Sequence, residues 1–479
     1  METLKEKTAR GLMWGALNSG ATQILNLIFG IILARQLSPR DYGIVGVLTI
    51  FSAIAGNLQN CGFTSALINL KKPTSNDYNA VFWFSVSVSA LLYIILFFSA
   101  PLIALFFHTP ELVEVSRLVF IAFFISSIGN ASSALMKKNL MVKEVAITGA
   151  LCLSTSGVVG VILAFLGYGY WALAWQNIVF ISVAVFCRFC FTWKFWRPSL
   201  SVDFTPIKVM FPFSVKILIT YVVNTINNNV LTVLFGNMFP MRQVGNYTQA
   251  MKWNSMAFSL ISGTIDHVAQ PVMAEASDEA NREKRIFRKI MRFTAFLSFP
   301  ALFGLALISH EFIDITIGAK WAESAELLQI LCLCGAFMPL YTIYQNLAIS
   351  AGRSDIYMWC NIVQIVTQIG IILAFHNYGI RTMVIAYSTF IIVYLLVWQA
   401  IASRLADIHF SEVLRDILPF MLAAIAVMAL TWLATSWISN VYILLVSRIL
   451  LAALLYFIVM KLAGAKILSE CLAFLKRKL

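Results

Sequence analysis

The sequence predicts an all-α polytopic membrane protein of about 14 transmembrane helices, built as two parallel-repeat six-helix bundles plus a C-terminal helix pair. Three observations predict it. The 479 residues are 60% hydrophobic and only 12% charged, whereas a soluble domain is nearer half apolar and a quarter charged. The apolar residues gather in runs such as "VFWFSVSVSALLYIILFFSAPLIALFF" and "TMVIAYSTFIIVYLLVWQAIA", long enough to cross about 30 Å of hydrocarbon as a helix. One decapeptide also returns: "GVILAFLGYG" at 160–169 becomes "GIILAFHNYG" at 370–379, with seven of ten positions identical at an offset of 210. The short alternating segments of a membrane barrel do not occur.

The N-terminal stretch "METLKEKTARGLMWGALNSG" is basic and then apolar. Its apolar part runs to about Ala34, too long for a cleaved signal, so it reads as the first span. Successive runs then give spans at about 42–68, 80–107, 112–136, 145–166 and 169–193, completing a lobe over 1–200. A second lobe, 201–403, holds spans at about 208–236, 245–273, 288–309, 324–350, 356–376 and 380–403. Residues 404–479 add spans at 413–435 and 440–462 and a basic tail. The stretch "LQNCGFTSALINL" (58–70) is too polar for a lipid-facing helix end and is expected to be a bent or buried continuation of the second helix.

Loop charge orients these spans. The N-terminus, alternate loops and the C-terminus carry 26 of the 35 Lys and Arg residues, and the opposite loops carry five: Arg35, Arg40, Arg242, Lys320 and Arg381. That asymmetry places both termini in the cytoplasm. It also accounts for the net charge of +13 as cytoplasmic flanks beside anionic lipid heads, so nucleic acid is not needed as a partner. The eight cysteines lie in or beside apolar runs, and "CRFC" and "CLC" lack the further ligands of a metal site. They read as packing residues. No metal, cofactor or catalytic set is expected, and no loop is large enough to house an enzyme.

The repeated decapeptide spans the turns between helices five and six and between helices eleven and twelve. Six helices separate the copies, so both turns face one side and the repeat is parallel, about an axis along the membrane normal. "RDYG" (Arg40 to Gly43) similarly matches "RQVG" (Arg242 to Gly245) at an offset of 202. Two such lobes would enclose a cavity on their axis and open it alternately by rocking.

Polar residues inside spans report the surface that avoids lipid. In helix seven Lys216, Thr220, Asn224, Asn227 and Asn228 share a face, and in helix one Trp14, Asn18, Thr22 and Asn26 do the same. The stripes correspond at the offset of 202. Cavity lining and helix–helix hydrogen bonding both suit the amides and hydroxyls. A buried ammonium at Lys216 calls for water or an anion. Arg117, Lys252 and Arg448 lie several residues inside their spans; snorkelling is the expectation for Arg117 and Arg448 and is evenly balanced with cavity lining for Lys252. Asp266, in helix eight, could pair with a basic residue such as Arg117, bind a coupling ion or reach the interface.

The opening "GLMWGALNSGATQILNLIFGIILARQLSPRDYGIVGVLTIFSAIAGNLQNCGF", the "YG" turn after helix five and the fourteen-helix plan resemble the polysaccharide (Wzx-type) flippases of the multidrug/oligosaccharidyl-lipid/polysaccharide exporter superfamily. The resemblance implies alternating-access export of undecaprenyl-diphosphate-linked oligosaccharide units, across the bacterial inner membrane, for O-antigen, capsule or exopolysaccharide. It implies cavity cations in helices one, two, seven or eight, of which seven and eight carry Lys216 and Lys252 while helix one has no charge and helix two none near its centre. It also implies polymerase or glycosyltransferase partners. Two rivals differ in their marks. A cation-coupled multidrug exporter of this fold would need an intramembrane carboxylate, for which Asp266 is the candidate. A membrane glycosyltransferase or polymerase would need catalytic groups on an external loop, where only the short "HEFIDITIGAKWAE" (310–323) offers Glu311 and Asp314.

Overall fold

The computed structural model describes residues 20, 22–60, 62–200, 203–276, 280–465 and 467–469. Every regular element among them is a helix. Among the described residues eleven stretches are long and apolar enough to cross a membrane, or twelve when one bent pair counts as a span. The helices at 22–36 and Met241–Ala276 stand outside that count, so the total is compatible with the expected fourteen.

The chain packs as two compact units, Met1–Gly245 and Asn246–Leu479. This is a division by packing, whereas the boundaries at 200 and 403 divide by sequence repeat. The first unit holds α1 (22–36), α2 (Pro39–Gly46), α3 (Thr49–Asn60), α4 (Phe63–Asn69), α5 (Ser75–Phe106), α6 (Leu112–Ile128), α7 (Asn130–Lys138), α8 (Val142–Phe165), α9 (Tyr170–Thr192) and α10 (Thr205–Met238). The long helix α11 (Met241–Ala276) starts there and continues into the second unit. That unit holds α12 (Ala280–Leu307), α13 (Ser309–Ile317), α14 (Ala322–Gly335), α15 (Met338–Ser350), α16 (Ser354–Ala374), α17 (Gly379–Ala406), α18 (Phe410–Thr435) and α19 (Val441–Leu462).

Local chemistry sets the helix starts. Ser38 with Asp41, and Thr74 with Asp77, form reciprocal capping boxes on α2 and α5, which satisfy otherwise orphaned N–H groups. Pro39 adds the preset φ that suits a first helical turn. The two motif glycines meet here. A Cβ on Gly43 would lie 1.9 Å from the Met241 carbonyl oxygen, and one on Gly245 would lie 1.7 Å from that of Pro39. The equivalent turns of the two repeats therefore cross backbone to backbone, which only glycine permits.

The second predicted helix is interrupted. After Asn60 the chain turns at Gly62 (φ +73°), and α4 follows as a short separate helix. A Cβ at Gly62 would also strike the Ser214 carbonyl at 2.7 Å. Beneath α4, Phe63 and Leu67 pack with Val81, Leu135 and Trp196 in a buried core, and Lys138 Nζ caps it by donating to the Ile68 and Leu70 carbonyls at 2.7 and 2.5 Å. The fourth predicted helix bends by 46° between α6 and α7.

In the second unit, the C-terminal helices are fastened by ion pairs. Arg288 on α12 reaches Asp416 (2.6 Å) and Glu412 (3.1 Å) on α18, and Lys284 reaches Glu412 at 2.8 Å. On α19, Arg448 does not snorkel as expected. It is buried and pairs with Glu311 at 2.7 Å, with further bonds to Thr435 Oγ1 and the Leu307 carbonyl. The sequence shows Arg448 near a boundary but not that α13, a short helix where a loop is expected, brings a carboxylate to it.

Candidate functional site

The predicted stripes are met in different ways. Trp14 and Asn18 lie outside the described residues, as do the side chains of Lys216 and Asp266, whose backbones belong to α10 and α11. On α10, Thr220, Asn224 and Asn227 are half-buried and Asn228 is exposed. The neighbouring Thr225 accepts a 2.7 Å hydrogen bond from Asn57 Nδ2, so part of this helix's polarity serves helix–helix bonding. Arg117 lies 4.4 Å over the Phe97 ring and donates from Nε to the Phe97 carbonyl, a stacked cation held within its own unit.

Thr22 and Asn26 are half-buried and face a cavity of about 600 Å³ inside the first unit. Its other walls come from α7, α8 and α9. α8 contributes small residues, among them Gly149, Cys152 and Ser156, and its glycines let neighbours approach: a Cβ on Gly157 would meet the Phe29 ring at 2.4 Å, and one on Gly160 would meet Gln176 at 3.1 Å. α9 presents Leu173, Gln176, Asn177, Phe180, Ala184 and Arg188, spaced at three and four residues along a single face.

The lining sets a few polar and cationic groups among largely apolar walls. Thr148 Oγ1 is buried with no hydrogen-bond partner among the described residues. Arg188 is half-buried beside Gly129, where a Cβ would come within 3.4 Å of Nη1. Lys137, from α7, lines the same space, and among the described residues no carboxylate does. Amides and hydroxyls can bond sugar hydroxyls, and a guanidinium can hold a phosphoryl or carboxylate group through two parallel bonds. The sequence reading left Arg188 near the end of the 169–193 span and singled out neither it nor Gln176 and Asn177. Their three-and-four spacing with Ala184 was the available signal.

The second unit places Lys252, half-buried, on a helix whose inner face is also polar. Asn246 Nδ2 donates to Glu323 Oε2 at 2.5 Å. Gln249 is fully buried, with neither amide atom partnered among the described residues. Trp253 packs edge-on to Phe312 at 5.0 Å. Elsewhere in this unit Pro300, Gly304, Met428, Ala452 and Met460 line an apolar groove of about 670 Å³. Among the described residues no group of His, Cys, Asp and Glu is placed to hold a metal ion.

Comparison with known proteins gives a consistent picture. Residues 32–326 match the family described as "Polysaccharide biosynthesis protein". The chain is 23% identical to the teichuronic acid biosynthesis protein TuaB of Bacillus subtilis, over 88% of each chain. It is 24% identical to the lipopolysaccharide biosynthesis protein WzxC of Escherichia coli, over 75% of this chain and 73% of that one. Among solved structures, the lipid II flippase MurJ in an inward closed conformation superposes with a TM-score of 0.76 at 16% identity, covering 95% of this chain and 99% of that one. An inward-facing MATE multidrug transporter of the MOP superfamily gives 0.64 at 15% identity, covering 81% and 96%.

Proposed function

The chain belongs to the polysaccharide biosynthesis protein family, and from that premise we propose that it is a flippase for undecaprenyl-diphosphate-linked oligosaccharide units. It would carry them from the cytoplasmic to the external leaflet of a bacterial inner membrane, with both termini cytoplasmic, for O-antigen, capsule or exopolysaccharide assembly. Polymerase and glycosyltransferase enzymes are the partners this reading implies. The observation that carries it is the conjunction of a polysaccharide-biosynthesis sequence match with the fold of a lipid flippase over 95% of the chain.

In this reading the prenyl tail stays in lipid while the sugar–diphosphate head follows a polar path that opens alternately to the two sides. Lys216 and Lys252 hold the phosphates. The stripes of helices one and seven, Trp14, Asn18, Thr22 and Asn26 with Thr220, Asn224, Asn227 and Asn228, contact the sugars. A head with about two negative charges moving outward gains roughly 4–5 kcal/mol at an inside-negative potential of 100 mV, enough to drive export without a separate ion site.

The test replaces Lys216 and Lys252 with Ala and measures arrival of lipid-linked saccharide at the outer leaflet. The expected result is a fall of at least about tenfold, the loss of roughly 1.4 kcal/mol of anion binding. Wild-type export by the double variant would remove the two lysines from the path. Drug efflux abolished by Asp266→Asn, with saccharide export absent in the wild type, would favour the multidrug exporter instead.

A further inference from the structure

We propose that the cavity inside the first unit is a recognition pocket for the diphosphate of the prenyl-linked saccharide, with Arg188 as its anchoring cation. This rests on the flippase reading above but assigns a site apart from Lys216 and Lys252.

Three observations carry it. First, Arg188 is half-buried within a span, lines the cavity, and makes no ion pair among the described residues. A cation withdrawn from water without a counter-charge is costly, so the position is stabilised when an anion enters. Lys137 shares the lining and, among the described residues, no carboxylate opposes it, which suits a group with more than one negative charge. Second, the cavity holds about 600 Å³, within the range of ligand sites, which are mostly apolar with a few placed polar groups. Its Gln176 and Asn177 amides, and the unpartnered Thr148 hydroxyl, give the adjoining sugar donors and acceptors.

Third, the repeat shows that the space is specific to one half. At the offset of 210, Asn177, Ala184 and Arg188 correspond to Tyr387, Tyr394 and Trp398, all buried in the second unit. One copy of the helix fills its interior with rings. The other keeps small and polar residues at the same positions and ends the face with a guanidinium. Arginine matches a phosphoryl group through a fixed fork that lysine lacks.

The experiment uses the full-length protein in nanodiscs and titrates farnesyl diphosphate as the probe. Wild type should bind it, and inorganic pyrophosphate should compete better than farnesol or glucuronate. Arg188→Gln should weaken binding at least about tenfold, and Arg188→Lys by roughly two- to five-fold, reflecting loss of the charge or only of the fork. Arg117→Gln, which alters a cation stacked on Phe97, should bind like wild type and serves as the folding control. Ala184→Tyr, which copies the second half, should weaken binding at least as much as Arg188→Gln does, with Arg188 still present. Unchanged affinity in Arg188→Gln would overturn the proposal. So would farnesol competing as well as pyrophosphate, or glucuronate competing better. A wild type that flips no saccharide yet binds the probe through Arg188 would leave the pocket standing and remove the flippase reading. An Arg188→Gln variant that loses binding and still flips at full rate would do the reverse.

Discussion

Helices α9 and α17 are copies of one another with opposite interiors. Both follow the same "YG" turn. In α17, Tyr387, Tyr394 and Trp398 are buried, and the Tyr394 hydroxyl donates to the Cys360 carbonyl of α16 at 2.7 Å. Next to them, the phenol of Tyr341 on α15 donates to the Ile391 carbonyl and that of Tyr344 to Gln399 Oε1. Rings and phenol bonds thus tie α15, α16 and α17 together. In α9 the equivalent positions face about 600 Å³ of space. The difference teaches that duplication supplied the helical plan twice, while side-chain volume decided which copy became a packed scaffold and which a container.

The strongest way to break this comparison is to make the halves alike. Converting the first unit to the pattern of the second, with Ala184→Tyr and Arg188→Trp together, should lower saccharide export by at least about tenfold. It does so by removing both the space and the anion anchor, while surface expression and elution as a folded species are retained. Undiminished export would show that the cavity is not used. The reciprocal change, Trp398→Ala, should open a void where the second unit is solid and destabilise it by about 3–5 kcal/mol. Thermal unfolding in detergent measures that cost, and a change under about 1 kcal/mol would deny α17 its scaffold role.

A third change sharpens the comparison through charge. Arg188 faces open space, whereas Arg448 is buried against Glu311. Glu311→Gln leaves that guanidinium uncompensated and should cost about 3 kcal/mol. Replacing both partners with apolar residues should recover most of the loss, and failure to recover would mean that the pair does more than neutralise itself.

The helical plan was legible because it rests on long apolar runs and on a repeat strong enough to see by eye. Thr22 and Asn26 were legible as a polar face but not as the lining of a cavity inside the first unit, since the expectation set them on a chamber between the two repeats. Arg188 was not legible, because it stands near the expected cytoplasmic end of its span, where the loop-charge asymmetry already accounts for a cation. A loop cation and a cavity cation look alike until the helix end is known. Arg448 was misread for the complementary reason. Its partner is 137 residues away in sequence, and nothing local announces a pairing at that distance. The break after Asn60 was foreseen as polarity without its cause, the left-handed backbone at Gly62 pressed against α10.

The smallest expected effect tests whether burial, rather than the Arg–Glu pairing itself, separates such sites. The first unit has its own Arg–Glu pair, Arg40 with Glu111 at 2.5 Å, but Arg40 is 56% exposed. Glu111 is held below the usual carboxylate range first by its own backbone N–H and then by the Arg40 guanidinium. A depressed carboxyl adds stability that is present above the ordinary carboxylate value and is lost as pH falls through its folded value. In water most of that gain is screened, so Glu111→Gln should cost less than about 1 kcal/mol at neutral pH and essentially nothing in acid. Unfolding measured from neutral pH downward should therefore show wild type and Glu111→Gln converging in acid. At neutral pH the gap should be several-fold smaller than that of Glu311→Gln. Equal gaps at the two sites would mean that burial does not set the cost of an uncompensated arginine, and the distinction drawn between the pairs would fall with it.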